Sequence, residues 1–255
     1  MPSPSRLVLL GALMFFIGLV VFFPARVAYE WFVPPAVKLS GIDGSVWSGG
    51  AAAASASGIY VRNLRWQILP LQLLTGNLAY AIEANSGTGL IDGSIALGMS
   101  GTITATDLEG SLPLESLRSP LLPVQSTLQA VGSPGLRGNA HVEFAKLRIK
   151  NGIPVIADGV IEFSNLVVPG VSGSAIGGYR SEYHTEETGI VGSIEDTDGL
   201  IDIAGILRLA NDGKYQFVAQ VAAKANTPAN VRQQMRLLGS ANERGQYELR
   251  LEGQL

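Results

Sequence analysis

Hydrophobic positions fall into two regimes along the chain. Residues 7–23 (LVLLGALMFFIGLVVFF) form a 17-residue uncharged run, preceded by Arg6 and followed by Pro24 and Arg26. A helix of that composition has no solvated face, so it reads as membrane-embedded and not as a core helix. At 1.5 Å per residue it spans about 25 Å, and partial use of the flanks brings it near a hydrocarbon thickness of about 27–30 Å. The rival reading is a cleaved signal peptide, which would end at a small-x-small site. Phe23 stands two positions before Ala25, and Arg26 two before Ala28, so neither alanine offers such a site. The expectation is therefore a retained single-pass anchor over residues 7–27 behind a short cytoplasmic tail, 1–6. The free amine and Arg6 favour an N-inside orientation slightly. Tyr29, Trp31 and Phe32 then fall where an interfacial aromatic belt would lie, and Pro34-Pro35 provides a stiff exit.

From residue 36 onward the apolar period is two. Val37 to Ser40 alternates weakly into Gly41-Ile42-Asp43-Gly44, a turn signal, and residues 45–48 read as a second short strand with Trp47 on one face. Residues 59–69 give the clearest strand: Leu64, Trp66 and Ile68 share one face, Asn63, Arg65 and Gln67 the other. Pro70 ends it, and residues 71–75 make at most one helical turn before Gly76. Further strands are predicted over 77–84, 89–99, 101–107, 138–149 (with a phase slip that signals a bulge), 155–166 (broken at Asp158-Gly159), 180–186, 189–194, 200–210, 215–223 and 246–251. Asn211-Asp212-Gly213 is a strong hairpin turn. One credible helix, residues 228–238, has Thr227 as N-cap, Pro228 at its first position, and Val231, Met235 and Leu238 on one stripe. Residues 119–134, with three prolines, read as a crossover or linker that could subdivide the domain. About a dozen short strands without alternating helices indicate an antiparallel architecture. The fold class is mainly β: one N-terminal transmembrane helix, then an antiparallel β-sheet domain, 36–255, with few short helices.

Composition narrows the function. The net charge of −3 gives no concentrated basic surface for nucleic acid. The absence of cysteine excludes disulfides, thiolate metal sites and cysteine nucleophiles, and suits an exported domain. Glu182, His184 and Glu186 would project from one strand face in a geometry that could ligate a divalent metal, but beside a flexible loop they read as a solvated face. Asp196-Thr197-Asp198-Gly199 with Asp202 lacks the closing bidentate Glu of a calcium loop and reads as a turn. Gly87-Thr88-Gly89 lacks the helix of a dinucleotide loop, and Gly170 to Ser174 is one residue wrong for a nucleophile elbow. No catalytic, cofactor or metal site is expected, and the chain does not read as an enzyme. Trp47 and Trp66 are expected as core aromatics of the first sheet. Alternatively they line an apolar groove for lipid or a partner peptide, since few charges cover the sheet.

Several segments together resemble the type II secretion system protein N family of Gram-negative bacteria. They are Leu39-Ser40-Gly41, then Gly44-Ser45-Val46-Trp47-Ser48-Gly49, then Leu64-Arg65-Trp66 with Pro70, Leu74 and Gly76, and near the end Leu238-Gly239, Arg244-Gly245-Gln246-Tyr247 and Glu252-Gly253. The motif positions are Gly44, Trp47, Gly49, Leu64, Trp66, Pro70 and Gly76. The resemblance implies a single-pass inner-membrane protein with its N-terminus cytoplasmic and its bulk periplasmic. It also implies an accessory, structural or assembly role in protein secretion across the outer membrane, alongside other inner-membrane subunits of that system. The family is similar, too, to periplasmic β-rich proteins thought to carry lipid, so a lipid-binding or lipid-bridging module is the alternative. No catalytic motif is implied.

Overall fold

The computed structural model describes residues 4–35, 37–56, 59–74, 76–87, 89–98, 101–116, 135–169 and 172–255. Two helices come first, α1 (Pro4–Val21) and α2 (Ala25–Phe32). Among the described residues no helix is long and apolar enough to cross a membrane. The span expected over 7–27 is instead divided between α1 and α2, and Pro24 is the reason. Proline has no N–H to donate, and its ring crowds the carbonyl four residues back, here that of Val20. Because α1 begins with Pro4, Ser5 and Arg6, its apolar part is confined to residues 7–21.

Among the described residues thirteen strands follow: β1 (Val37–Gly44), β2 (Ser48–Ala56), β3 (Ile59–Ile68), β4 (Asn77–Asn85), β5 (Leu90–Gly98), β6 (Ile103–Pro113), β7 (Arg137–Lys150), β8 (Ile153–Val167), β9 (Tyr179–Glu186), β10 (Gly189–Asp196), β11 (Ile201–Ala210), β12 (Lys214–Ala223) and β13 (Gln246–Gln254). They form one antiparallel sheet in chain order, a meander. Helix α3 (Pro70–Leu73) links β3 to β4, and α4 (Ala229–Met235) links β12 to β13. The mainly β, antiparallel expectation holds. Residues 119–134 lie outside the described residues; β6 and β7, on either side, pair antiparallel from Ile103↔Ile149 to Pro113↔Asn139.

Three local readings are corrected. First, β1 runs through residues 41–44, and the chain reverses at Ser45–Trp47 instead, so of residues 45–48 only Ser48 belongs to a strand, as the first residue of β2. Ser45 N donates to Ser48 O (2.9 Å) and Ser48 N to Ser45 Oγ (3.2 Å), closing the turn. Second, β8 passes through Asp158-Gly159 unbroken. Third, Thr227 does not cap α4: its Oγ1 donates to Leu200 O (2.5 Å), pinning the helix entrance to the start of β11. The phase slip in β7 is a bulge, with the register to β8 shifting between Phe144 and Lys146.

A row of direct partners crosses eight strands on one face: Leu108, Phe144, Gly159, Tyr183, Gly192, Leu207, Phe217 and Leu251. The Phe144 and Tyr183 rings lie over the facing glycines and approach each other, with centroids 6.1 Å apart. One buried cluster joins Leu108 of β6 to Tyr215 of β12 through Phe144, Ala157, Ile190 and Leu209. Across the same strands, Ile153 Cδ1 at the start of β8 lies 3.1 Å from where a Cβ on Gly213, just after β11, would sit, although a flat sheet would hold β8 and β11 about 14 Å apart at ~4.8 Å per strand. The sheet therefore curls, with its apolar face inside. At one end α4 closes the curl, burying Val231 and Met235 against Ile176, Tyr179, Ile201 and Val221. Among the described residues nothing comparable covers the same face of β3–β6: Leu78, Leu97 and Ile103 are exposed there.

Candidate functional site: a clamp between the N-terminal helices and the first hairpin

The last turn of an α-helix leaves carbonyls without intrahelical donors. At the end of α1, Pro24 adds to the deficit because it brings no N–H to Val20 O. Val20 O accepts from Phe23 N (3.2 Å), and Trp47, at the β1–β2 turn, adds a second donor: its Nε1 bonds Val20 O at 2.8 Å. The neighbouring Val46 N donates to Phe23 O (3.0 Å), and Pro24 forms an isolated antiparallel bridge with Ser45. The turn is held in its place by β3. Trp66 Nε1 donates to Ser45 O (3.2 Å), and Ile68 N donates to Trp47 O (2.7 Å). On the other side, Tyr29 of α2 reaches the edge strand β1. Its hydroxyl donates to Val37 O (3.2 Å) and accepts from Leu39 N (3.3 Å), occupying backbone groups that an added strand would otherwise use.

The glycines of the segment serve this packing. Gly44 ends β1 with φ at +79°, and a Cβ on it would stand 2.7 Å from Gly49 Cα. A Cβ on Gly49 would lie 2.7 Å from Trp66 Cζ2 and 2.5 Å from Asp43 O, so Gly49 is the seat of the Trp66 indole. Pro70 opens α3 at its first position, where a missing N–H costs nothing, and Gly76 N donates to Leu73 O (3.0 Å) to close it. Six of the seven motif positions, Gly44, Trp47, Gly49, Trp66, Pro70 and Gly76, thus gather at one end of the sheet. Leu64 lies further along β3 opposite Ala51, lining an open cleft of about 440 Å³ with Asp43, Arg65 and Glu83. Trp47 is half-buried and spends its indole N–H on α1, where the sequence suggested a core aromatic. Val20 and Phe23 were not singled out by sequence, and Tyr29 was read there as part of an interfacial belt, not as a bond to β1. The signal available for Val20 was Pro24, which removes the donor four residues on and leaves the Phe23 N–H (3.2 Å) as the one from its own segment.

Residues 35–250 match the family described as Type II secretion system (T2SS), protein N. The chain belongs to the type II secretion system protein N family. Type II secretion system protein N of Vibrio cholerae serotype O1 is 26% identical over 245 residues, spanning 93% of this chain and 93% of the relative. No solved structure matches the chain. Protein N is a component of a secretion system, and the family is not one of enzymes.

In this protein N family member the other clusters singled out by sequence are engaged structurally. Glu182, His184 and Glu186 do share the outer face of β9, with His184 Nε2 3.3 Å from Glu186 Oε1, both exposed. Among the described residues no three His, Asp or Glu side chains are grouped to hold a metal ion. Asp196 is ion-paired with Lys224, while Asp198 Oδ1 accepts from Gly178 N (2.5 Å) and so ties the loop before β9 to the end of β10. Burial pushes the Asp196 carboxyl up, but hydrogen bonds from Lys224 and Asp202, the Lys224 charge and the Ile203 N–H together hold it below its ordinary value. Burial pushes the nearby Tyr179 hydroxyl up to about 12, against a hydrogen bond with the Ile201 backbone and with help from the Asp196 and Asp198 charges.

Proposed function

We propose that the protein is an inner-membrane accessory component of the type II secretion system, with a structural or assembly role in protein export across the outer membrane. The clamp carries this reading: it joins an all-round apolar helix to a folded β sheet through Trp47, Val46 and the Pro24–Ser45 bridge. Helix α1 is exposed on every side, as suits a lipid-facing anchor. Continued through Phe22 and Phe23 it reaches about 25 Å, and local bilayer thinning makes up the remainder at a fraction of a kcal/mol per Å. The slight positive bias of the free amine and Arg6 before the apolar run supports a cytoplasmic N-terminus and a periplasmic sheet. Other inner-membrane secretion subunits meet the protein along α1 or at β13, whose outer edge pairs with no strand among the described residues. Photo-crosslinkers at Leu13 and at Arg250 of the full chain test this in secreting cells. Adducts with another secretion subunit are expected. Absence of such adducts from both sites, with export unimpaired in a strain lacking the protein, overturns the assembly role.

A second reading, a lipid-binding or lipid-bridging module, is favoured by the uncovered apolar strip on β3–β6 around Leu78, Leu97 and Ile103. Native mass spectrometry of the full chain released from nanodiscs would show retained phospholipid that Leu97→Asp removes. A bare protein in both cases counts against it.

A further inference from the structure

The end of the sheet that grips α1 carries more exposed apolar surface than the clamp needs. Helix α3 leaves β3 directly after Ile68, whose N–H is bonded to Trp47 O, so α3 sits at the same end as the C-terminus of α1. Its leucines point away from the core: Leu71 is 78% exposed, Leu73 43% and Leu74 85%. Residues 66–82, which contain α3, hold no charged side chain, and neither do residues 93–106 around the β5–β6 connection. The facing ends of β5 and β6 lie at the same end, since Asn77 pairs with Gly98 and Leu97 with Ile103; Leu97 is 46% exposed and Ile103 43%. Beyond them the rim changes character. The β7–β8 turn at this end follows Arg148 and Lys150, the β9–β10 turn holds Glu187, and the β11–β12 turn holds Asp212.

We propose that α3 and the paired ends of β5 and β6 at Leu97 and Ile103 form a second, monotopic membrane contact, laying this end of the sheet on the bilayer that α1 spans. The proposal rests on the anchor reading of α1. An occupant is indicated by continuity: the uncharged rim begins two hydrogen bonds from the end of an all-apolar helix. It stops at the cations Arg148 and Lys150, which suit lipid phosphates at the boundary. A short apolar turn seated at headgroup depth needs no charge, whereas an aqueous surface of that size normally carries some.

The chain has no cysteine, so single cysteines can be labelled with an environment-sensitive fluorophore in the full-length protein reconstituted alone into phosphatidylglycerol–phosphatidylethanolamine vesicles. Leu13→Cys reports the anchor, Leu74→Cys the proposed contact, and Glu195→Cys on β10 an aqueous reference. The expected result is blue-shifted emission and strong quenching by lipid-borne spin labels at 13 and 74, with neither at 195. A lipid signal at 13 and a water signal at 74 overturns the second contact and leaves the anchor standing. Water signals at both overturn both.

Discussion

Trp47 illustrates how one side chain can be needed for a bond and not for its bulk. Its ring is half-buried, so the cost of losing it lies mainly in the indole N–H that reaches Val20 O beside the donor from Phe23 N. Trp47→Phe keeps the ring and removes the donor, and should cost about 1 kcal/mol, the net worth of one such bond, in denaturant unfolding of the reconstituted protein. Gly49 is a packing requirement. Gly49→Ala forces a Cβ to 2.7 Å from the Trp66 ring and 2.5 Å from Asp43 O, and should cost about 1–3 kcal/mol, while Gly173→Ala, which meets nothing within 4 Å, serves as the unstrained control. Titratable residues bound the stable pH range. Asp196 is held below its ordinary 3.8, so its contribution is present above that value and is lost as pH falls through the folded pKa. Tyr179 is raised, so its contribution is full below 10.0 and is lost as pH climbs towards about 12. Unfolding followed by near-UV circular dichroism should show that alkaline loss, and Tyr179→Phe should flatten it.

At the scale of elements, α4 shows what an amphipathic pattern can and cannot specify. Val231, Met235 and Leu238 lie on one stripe in the sequence, but the helix tightens to a 3-10 turn over Arg236–Leu238, and Leu238 is left exposed. Met235→Ala should therefore cost about 2–5 kcal/mol by opening the cluster around Tyr179 and Val221, whereas Leu238→Ala should stay within about 0.5 kcal/mol. Both are read from thermal or urea unfolding. The break between α1 and α2 follows from Pro24 alone, a local effect legible in sequence. The way the break is repaired is not local, because the second donor comes from 27 residues further on. Likewise, Gly41 to Gly44 carries a turn signal, yet the strand continues through it. Pairing with β2 from Val37↔Ala56 to Gly44↔Gly49 outweighs the local preference.

For the whole molecule, the meander leaves two unequal ends. The β1 edge is partly occupied by Tyr29, and among the described residues no strand pairs with the β13 edge. The curl is closed by α4 over its C-terminal strands, and among the described residues it is uncovered over β3–β6. Polar substitutions in these two regions should behave differently. Leu97→Asp on the exposed strip should leave unfolding almost unchanged and act on membrane or lipid association. Ile190→Asp in the buried cluster should cost well over 4 kcal/mol or abolish folding, because an unpaired carboxylate would be buried. Protein recovered from the soluble and membrane fractions distinguishes the two outcomes.

By itself the sequence determined what depends on neighbours a few residues apart. Period-two alternation marked most strands, the Asn211-Asp212-Gly213 hairpin and the β7 bulge. The uncharged run before Pro24 marked α1, and short motifs pointed to the family. Only the tertiary structure decided where the first hairpin turns, that Trp47 serves α1 and not a core, that Thr227 bonds Leu200 instead of capping a helix, and how far the sheet curls. The reason is physical. Alternation records which side of a strand each residue occupies, but a hydrogen bond or a ring seated over a glycine depends on which strands the fold brings together. At Gly49 and Trp66 the sequence holds both partners, and only the register of β2 against β3 makes them meet.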